Sequence, residues 1–118
     1  MKPIDAATLR ALEAFKARLT QRYREHLKAV YLFGSRARGD HRPDSDLDVA
    51  IFLDNVSDPI REQLELIDDG YPILLSTGID IQPWVFEAAS LGAPEHYRAT
   101  HLVKTVRKEG VPVWSTGS

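Results

Sequence analysis

The sequence predicts an α/β domain, because segments with helical periodicity alternate with short apolar runs of strand length. Two such runs, residues 30–33 and 49–53, flank a polar stretch rich in glycine, arginine and aspartate. Longer segments on either side repeat apolar residues every three to four positions, which is typical of amphipathic helices. With 118 residues the chain has the length of one domain around one core, so we predict a single domain over residues 1–118.

The composition narrows the class of protein. Hydrophobic residues make up 43% of the chain and charged residues 27%, a mixture typical of globular proteins. The net charge of −2 gives no electrostatic basis for direct nucleic-acid binding. No apolar run approaches the ~20 residues needed to cross a bilayer, and the amino terminus lacks an apolar signal region. We therefore expect no membrane association and a cytoplasmic location. The chain has no cysteine, which excludes disulfides and thiolate metal sites.

Local signals predict the first elements. Asp5 is a suitable N-cap, and apolar residues at helical spacing then predict a helix to about residue 27. These residues are Leu9, Leu12, Phe15, Leu19 and Tyr23. Residues 29–33 are predicted as the first strand and 35–38 as a helical turn that ends near Gly39. A loop over residues 40–45 then leads to a second strand over residues 47–53.

A long helix is predicted after Asp58, with Pro59 in its first turn. Its expected buried stripe consists of Ile60, Leu64, Ile67, Tyr71 and either Leu74 or Leu75. Pro72 lies inside this pattern and is expected to kink the helix or split it in two, because proline lacks an amide hydrogen. Gly78 is expected to end the segment as a C-cap.

The rest of the chain is predicted to form a third strand, a loop, a helix and a short edge strand, over residues 79–86, 87–94, 95–109 and 111–114. Strand alternation assigns Ile79, Ile81 and Val85 to one face of the third strand. The opposite face receives Asp80, Gln82, Trp84 and Phe86. Candidate core contacts of the last helix are Tyr97, Leu102, Val103 and Val106.

The polar stretch carries the candidate site. Gly34 and Ser35 end the first apolar run, and Asp46 and Asp48 open the second after ten intervening residues. Residues two apart in a strand share a face, so the aspartates are expected to project side by side. Such a pair needs a counter-charge, and its oxygen ligands favour Mg²⁺, with Mn²⁺ as a substitute. Gly34 and Ser35 suit phosphate, because glycine permits a close backbone approach and N–H groups at a helix start bind anions.

This pattern resembles the signature of the DNA polymerase beta-like nucleotidyltransferase superfamily: Gly34-Ser35, then ten residues, then Asp46-Leu47-Asp48. The short chain is similar to its minimal nucleotidyltransferase (MNT) branch, which includes the antitoxins of HEPN/MNT toxin–antitoxin pairs. The resemblance implies a small mixed β-sheet with helices mainly on one face, like the palm of polymerase beta. It also implies Mg²⁺-dependent transfer of AMP from ATP.

A site of this kind implies a third catalytic and metal-binding carboxylate beside Asp46 and Asp48. Asp80 is the only acid within the predicted third strand, and an acid between two core residues needs a metal or a partner. The alternative is that Asp80 is a strand-edge acid exposed to water. Trp84 shares its strand face, where it either packs in the core or stacks on a nucleotide base.

The predicted nucleotide-binding residues are Gly34, Ser35, Arg36, Arg38 and Arg42. The three arginines are candidates because guanidinium groups make bidentate contacts with phosphate. Arg38 is preferred, since it lies close to the phosphate turn, and a solvated loop is the alternative for all three.

Three functions are open from the sequence. The favoured one is an antitoxin enzyme that moves AMP onto a tyrosine of a cognate HEPN-family toxin. The second is a nucleotide-binding antitoxin that neutralises a toxin by covering its surface. The third, a small-molecule transferase of the aminoglycoside type, is least favoured because no acceptor-binding domain is recognisable. The acceptor, and part of the nucleotide pocket, is therefore expected from a partner or from a second copy in a homo-oligomer.

Overall fold

The computed structural model describes residues 4–96 and 100–115, and all structural statements concern these ranges. The helices are α1 (Ala6–Tyr23), α2 (Ser35–Arg38), α3 (Pro59–Thr77) and α4 (Thr100–Glu109). The strands are β1 (Leu27–Phe33), β2 (Leu47–Leu53), β3 (Ile81–Glu87) and β4 (Val111–Ser115). Short 3₁₀ turns lie at Arg24–His26, Ala88–Leu91 and Pro94–His96. None of the helices in these two ranges has the length and apolar character to cross a membrane.

The strands form one mixed sheet in the order β3–β2–β1–β4. β1 pairs antiparallel with β2 and β4, whereas β2 pairs parallel with β3. The register sets Phe33 opposite Asp48 across β1 and β2, and Asp48 opposite Gln82 across β2 and β3. The end of β1 and the starts of β2 and β3 therefore lie at one end of the sheet. The mixed α/β fold confirms the predicted fold class.

Helices cover both faces of the sheet unequally. On one face, α1 and α3 pack against alternate residues of the strands and form an apolar core. The core includes Phe15 and Leu19 of α1, Leu66 and Ile73 of α3, and the strand residues Leu32, Val49 and Ile51. On the other face, α4 packs on a smaller cluster formed by Ala29, Phe33, Ala50, Phe52, Phe86, Val103 and Val106. Two of the three long helices thus share one face, as the sequence predicted.

Several predicted boundaries agree with the structure. β2 has the predicted bounds, α2 ends at Gly39 in the left-handed region, and Gly78 caps α3 through an N–H bond to the carbonyl of Leu74 (2.8 Å). Leu12, Phe15 and Leu19 of α1 are buried as predicted, whereas Leu9 is 42% exposed. α1 ends earlier than predicted, at Tyr23, and β1 begins earlier, at Leu27.

The third strand begins later than predicted, at Ile81, so Asp80 lies just before it. Ile79, Ile81 and Val85 are buried on the face of α3, which confirms the predicted alternation. Asp80 itself is exposed, and the expectation of a buried acid is therefore wrong. α4 begins at Thr100, with Val103 and Val106 buried, while Tyr97 lies outside the described residues.

The predicted buried face of α3 is wrong. The expected stripe is exposed, at 75% for Ile60, 61% for Leu64, 43% for Ile67, 59% for Tyr71 and 70% for Leu75. The buried residues of α3 are Leu66, Gly70 and Ile73. Both sides of the helix are apolar, so periodicity alone identified a stripe without identifying what it packs against.

Bonds to α1 set the rotation of α3. Arg22 bonds Glu65 (3.2 Å) and Asp69 (2.9 Å), and the hydroxyl of Tyr23 donates to Glu62 (2.9 Å). These three acids lie beside Leu66 and Ile73 on the helix surface, so satisfying them turns Leu66 and Ile73 into the core. The opposite apolar stripe is left facing solvent.

Pro72 does not split α3, which runs unbroken from Pro59 to Thr77. The proline side chain is exposed, so it interrupts the helix on its solvent side. The local cost is one hydrogen bond, because Pro72 has no N–H to donate to the carbonyl of Asp68.

We predict that two leucine truncations two residues apart on α3 will differ sharply. Leu66→Ala is expected to lower the free energy of unfolding by about 2–5 kcal/mol, because Leu66 is fully buried. Leu64→Ala is expected to change it by less than about 0.5 kcal/mol, since that side chain is mostly exposed. Urea denaturation measures both values, and equal losses would contradict the assigned faces of α3.

Candidate active site

The turn after β1 is built by two glycines. Gly34, with φ 78°, precedes the single helical turn of α2, and Gly39, with φ 83°, ends it. Both angles lie in the left-handed region that glycine adopts without strain. The amides of Ala37 and Arg38 bond the carbonyl of Gly34, at 3.1 Å each. The N–H groups of Ser35 and Arg36 stand at the start of this turn, where helical bonding provides no acceptor.

Gly34 lies directly against the carboxylate of Asp48. A Cβ atom added to Gly34 would overlap Oδ2 of Asp48. The contact follows from the β1–β2 register, which sets Phe33, the residue before Gly34, opposite Asp48. The glycine–serine turn and the second aspartate, fourteen positions apart in sequence, therefore form one site.

The three predicted carboxylates lie at the same end of β2 and β3. The amide of Leu47 donates to the carbonyl of Asp80 (2.8 Å), which continues the parallel ladder to the residues just before both strands. Strand alternation places Asp46 on the face of Asp48, and Asp80 on the face of Gln82, which is paired with Asp48. Asp46 and Asp80 are exposed, while Asp48 is half-buried.

Burial and charge both act on Asp48. Desolvation raises the pKa of the Asp48 carboxyl, and the neighbouring charge of Asp46 raises it further. The indole N–H of Trp84 donates to Oδ1 of Asp48 (3.3 Å) and, with the charge of Arg38, opposes that rise. The site thus holds a carboxylate whose charged form would gain from a cation.

Arg36 braces the loop between α2 and β2. It is only 4% exposed, and its Nε donates to the carbonyl of Ser45 (3.1 Å). Its two terminal nitrogens donate to the hydroxyl of Thr8 (2.9 Å) and to the carbonyl of Pro43 (3.3 Å). These bonds tie residues 43–45 to α1. Of the three predicted phosphate ligands, Arg36 has the least access to a nucleotide.

Arg38 and Arg42 remain accessible. Arg38 is exposed, and its guanidinium donates hydrogen bonds to the carboxylates of Asp40 and Glu109, at 3.1 Å each. Hydrogen bonding to Asp40 raises the pKa of Arg38, and its charge reaches Asp48. Arg42 is exposed, and no ion pair or hydrogen bond holds its guanidinium to other residues within the described ranges. Its backbone N–H bonds the hydroxyl of Ser45 (2.9 Å).

The donor chemistry fits a divalent cation at Asp46 and Asp48. Two neighbouring carboxylates, one of them desolvated, are hard oxygen ligands of the kind that Mg²⁺ takes together with substrate phosphates. A complete three-ligand set is not assembled, because no three acidic or histidine side chains of residues 4–96 and 100–115 are placed to share one ion. The ligand role of Asp80 therefore stays a prediction.

The hydrogen bond from Trp84 to Asp48 was not predicted from the sequence. Alternation did place Trp84 on the face of Asp80, but the partner of its N–H depends on the register between β2 and β3. That register sets Ala50 opposite Trp84, and the small alanine side chain lets the indole reach along β2 to Asp48.

We predict that Gly34→Ala will be more destabilising than Gly78→Ala. Both glycines have a positive φ, 78° and 77°, but Gly34 has ψ −158°, a conformation that essentially only glycine adopts, whereas Gly78 has ψ 5°, in the left-handed helical region. Only at Gly34 does the new methyl group overlap Asp48, whereas nothing lies within 4 Å of a Cβ at Gly78. The difference in the midpoint of thermal unfolding measures the combined cost of the Gly34 backbone conformation and of the contact with Asp48. Equal midpoints would contradict the prediction.

We predict that Trp84→Phe will raise the pKa of Asp48 further. The substitution keeps an aromatic ring but removes the N–H that stabilises the charged carboxylate. Carboxyl carbon NMR titration of the isolated chain measures this pKa. Asp54 is an internal control, because its bond to His26 lowers its pKa at the opposite end of β2 and is untouched. An unchanged Asp48 titration would show that the indole does not hold the carboxylate.

Comparisons with known proteins agree with this geometry. The family "Polymerase beta, Nucleotidyltransferase" matches residues 17–112. The chain is 42% identical over 45 residues to MJ0604 of Methanocaldococcus jannaschii, a candidate protein adenylyltransferase. That match covers 38% of this chain and 45% of MJ0604, so the chain matches less than half of that relative's length.

Two solved structures share the fold. A candidate nucleotidyltransferase from Sulfolobus solfataricus superposes with a TM-score of 0.60 at 18% identity, over 93% of this chain and 85% of that one. A toxin–antitoxin crystal structure with AMP-PNP gives a TM-score of 0.61 at 25% identity, over 89% of this chain and 74% of that one. The family match spans most of the chain and includes the glycine–serine turn and all three aspartates. The chain therefore belongs to the polymerase beta nucleotidyltransferase family.

Proposed function

We propose that the chain is an antitoxin that transfers AMP from ATP to a tyrosine hydroxyl of a partner toxin. The observation that carries this proposal is the contact between Gly34 and Asp48, which joins a phosphate turn to a carboxylate pair. The solved toxin–antitoxin structure with AMP-PNP supports both a toxin partner and an adenine nucleotide. The description of MJ0604 supports a protein as the acceptor.

In the proposed reaction, the acceptor hydroxyl oxygen forms a bond to the α-phosphorus of ATP. The bond from that phosphorus to the bridging oxygen breaks, and pyrophosphate leaves. Asp80 takes the hydroxyl proton, since its exposed carboxylate stands at the same end of the sheet as Asp46 and Asp48. Asp46 and Asp48 would hold Mg²⁺, which when bound neutralises phosphate charge.

The remaining residues bind and orient the nucleotide. The Ser35 hydroxyl and the amides of the α2 turn hold the β- and γ-phosphates. Arg38 and Arg42 stabilise negative charge on the leaving pyrophosphate, because both guanidinium groups are accessible. Arg36 acts mainly by holding the loop that positions Asp46, through its bonds to Ser45 and Pro43.

A second candidate function is neutralisation of the toxin by binding alone. The observation that favours it is the lack of an assembled three-carboxylate set among the described side chains. Catalysis then requires the nucleotide or the partner to draw Asp80 towards Asp46 and Asp48, whereas binding alone does not require it.

We predict that Asp46→Asn combined with Asp48→Asn will lower AMP transfer at least about a hundredfold, because both changes remove charge that stabilises the transition state. The shape of each side chain is kept. Transfer is measured as radiolabel from α-labelled ATP on the purified partner toxin in the presence of Mg²⁺. Asp44→Asn is the matched control, as an exposed loop acid two residues before Asp46.

Toxicity assays separate the two candidate functions. Under the proposed reaction, the double variant fails to protect cells from the toxin, while wild type and Asp44→Asn protect them. If the double variant transfers no label and still protects cells fully, binding alone is the function. Undiminished transfer by the double variant contradicts the proposed site.

A further inference from the structure

The exposed stripe of α3, hereafter the α3 seam, consists of Ile60, Leu64, Ile67, Tyr71 and Leu75. Its members are 43–75% exposed and lie on one side of a single helix. Scattered apolar residues are ordinary on a protein surface, but the largest contiguous apolar patch of a monomer is often functional. The seam runs from Ile60 to Leu75, a span of sixteen residues and about 22 Å of helix.

The spacing of the seam is that of a helix-pairing surface. Successive members are four, three, four and four residues apart, and Leu74 would continue the heptad pattern. Such a repeat lets side chains of one helix insert between those of another. The expected occupant is therefore an amphipathic helix that lies along α3.

The seam lies on the side of α3 next to the open edge of β3. Glu62, Glu65 and Asp69 face α1, as their bonds to Tyr23 and Arg22 show. On the other border, the side-chain oxygen of Gln63 accepts the amide of Val85, in edge strand β3 (3.3 Å). A helix on the seam would thus run beside the strand that follows Asp80.

An apolar cleft adjoins the seam at Ile60. It has a volume of 560 Å³ and is lined in part by Ile60, Val85, Phe86 and Val103. A cleft of this size accommodates a large aromatic or aliphatic side chain, the kind that anchors helical partners in grooves. The cleft lies at the far end of β3 from Asp80, so it lies outside the nucleotide site.

The charged residues of α3 indicate which charges a partner helix should carry beside its apolar residues. Three of the five carboxylates on the helix and its cap, Glu62, Glu65 and Asp69, face α1, and Asp58 caps the helix, which leaves Asp68. Arg61 is the single basic residue of α3. Arg61 already lies 3.6 Å from Glu65. Asp68 borders the seam, is exposed and pairs with no cation within the described ranges. Its backbone carbonyl also lacks the amide that Pro72 cannot supply. Lysine or arginine beside the apolar residues of a partner helix would complement this border.

A second copy of the chain fits the seam less well. An antiparallel copy that covers the whole seam sets Asp68 beside Ile67 of its mate. Arg61 reaches Asp68 of the mate only in a register that leaves Tyr71 and Leu75 uncovered. The exposed carboxylate of Asp68 at the border of the seam therefore favours a different, basic partner.

We propose that the α3 seam docks an amphipathic helix of the partner toxin, with basic residues beside its apolar stripe. This inference rests on the proposed function, because the docked protein is also the acceptor of AMP. α3 ends at Thr77 and leads through Gly78 and Ile79 to Asp80. Leu75, at the end of the seam, is five residues from Asp80, a chain length of at most about 18 Å. Docking thus holds the acceptor near the transfer site.

The test compares two leucine-sized side chains of equal exposure. Ile67 in the seam is 43% exposed and Leu9 on α1 is 42% exposed. The probe is the purified product of the gene adjacent to that of this chain, which is the toxin expected under the proposed function, and affinity is measured by titration calorimetry. Ile67→Lys is expected to weaken binding at least about tenfold, the loss expected when one apolar side chain is no longer buried. Leu9→Lys should bind like wild type.

Asp68→Lys tests the charge of the partner without touching an apolar residue. It is expected to weaken binding several-fold at low salt, and raised salt should reduce the difference. This variant also keeps the proposal testable if Ile67→Lys unfolds, which thermal unfolding followed by circular dichroism reveals. Equal affinities for wild type, Ile67→Lys and Asp68→Lys overturn the proposal, as does the absence of binding by wild type.

Two further outcomes are distinguishable. If wild type sediments as a dimer and Ile67→Lys as a monomer, a second copy occupies the seam and the proposed partner is wrong. If the toxin binds through the seam but accepts no AMP in the presence of ATP and Mg²⁺, docking stands while the proposed transfer fails.

Discussion

The antiparallel pairing of Phe33 with Asp48 is the constraint on which the rest of the site depends. β1 and β2 are neighbours, so the polar stretch between them leaves the sheet and returns to the point where it left. Gly34 can then touch the carboxylate that begins the return strand. A register slip of one residue would turn Asp48 into the core and Val49 towards the phosphate turn. The core therefore specifies the site, because only the observed register packs Val49 and Ile51 against α1 and α3 while Ala50 and Phe52 join the smaller cluster with α4.

The same packing makes Asp48 costly to bury. Desolvation and the charge of Asp46 both raise its pKa, which means that the folded chain disfavours the charged form that a cation would need. The bond from Trp84 and the charge of Arg38 offset part of this penalty. The fold thus keeps a carboxylate in a position that stability alone would not select, as is common at functional sites. The bonds of Arg36 to Ser45, Pro43 and Thr8 stiffen the loop that keeps it there.

The sequence was sufficient to predict a feature where a local signal is compatible with one structure only. The bounds of β2, the caps at Gly39 and Gly78 and the alternation around Asp80 follow from residue type and spacing. It was insufficient where the outcome depends on a distant partner. The buried face of α3 is the one beside Glu65 and Asp69, which bond Arg22 of α1, a contact that α3 alone does not encode. The buried role of Arg36 depends on Thr8, and the bond between Trp84 and Asp48 depends on a parallel register that no single segment encodes.

The exposed apolar surface of α3 and the exposed carboxylate of Asp80 lie close together in the chain. α3 ends three residues before Asp80, so a partner docked along the seam, as proposed, would lie close to the segment that carries this carboxylate. The sheet and α1 cover one side of α3, and its other side is exposed. Under the proposed function, the free energy of docking at the α3 seam would be used to fix the position of the acceptor hydroxyl, which is how binding energy remote from the reacting atoms raises a rate. An isolated chain would then bind nucleotide readily and transfer AMP slowly, because its third carboxylate would join Asp46 and Asp48 only in the complex.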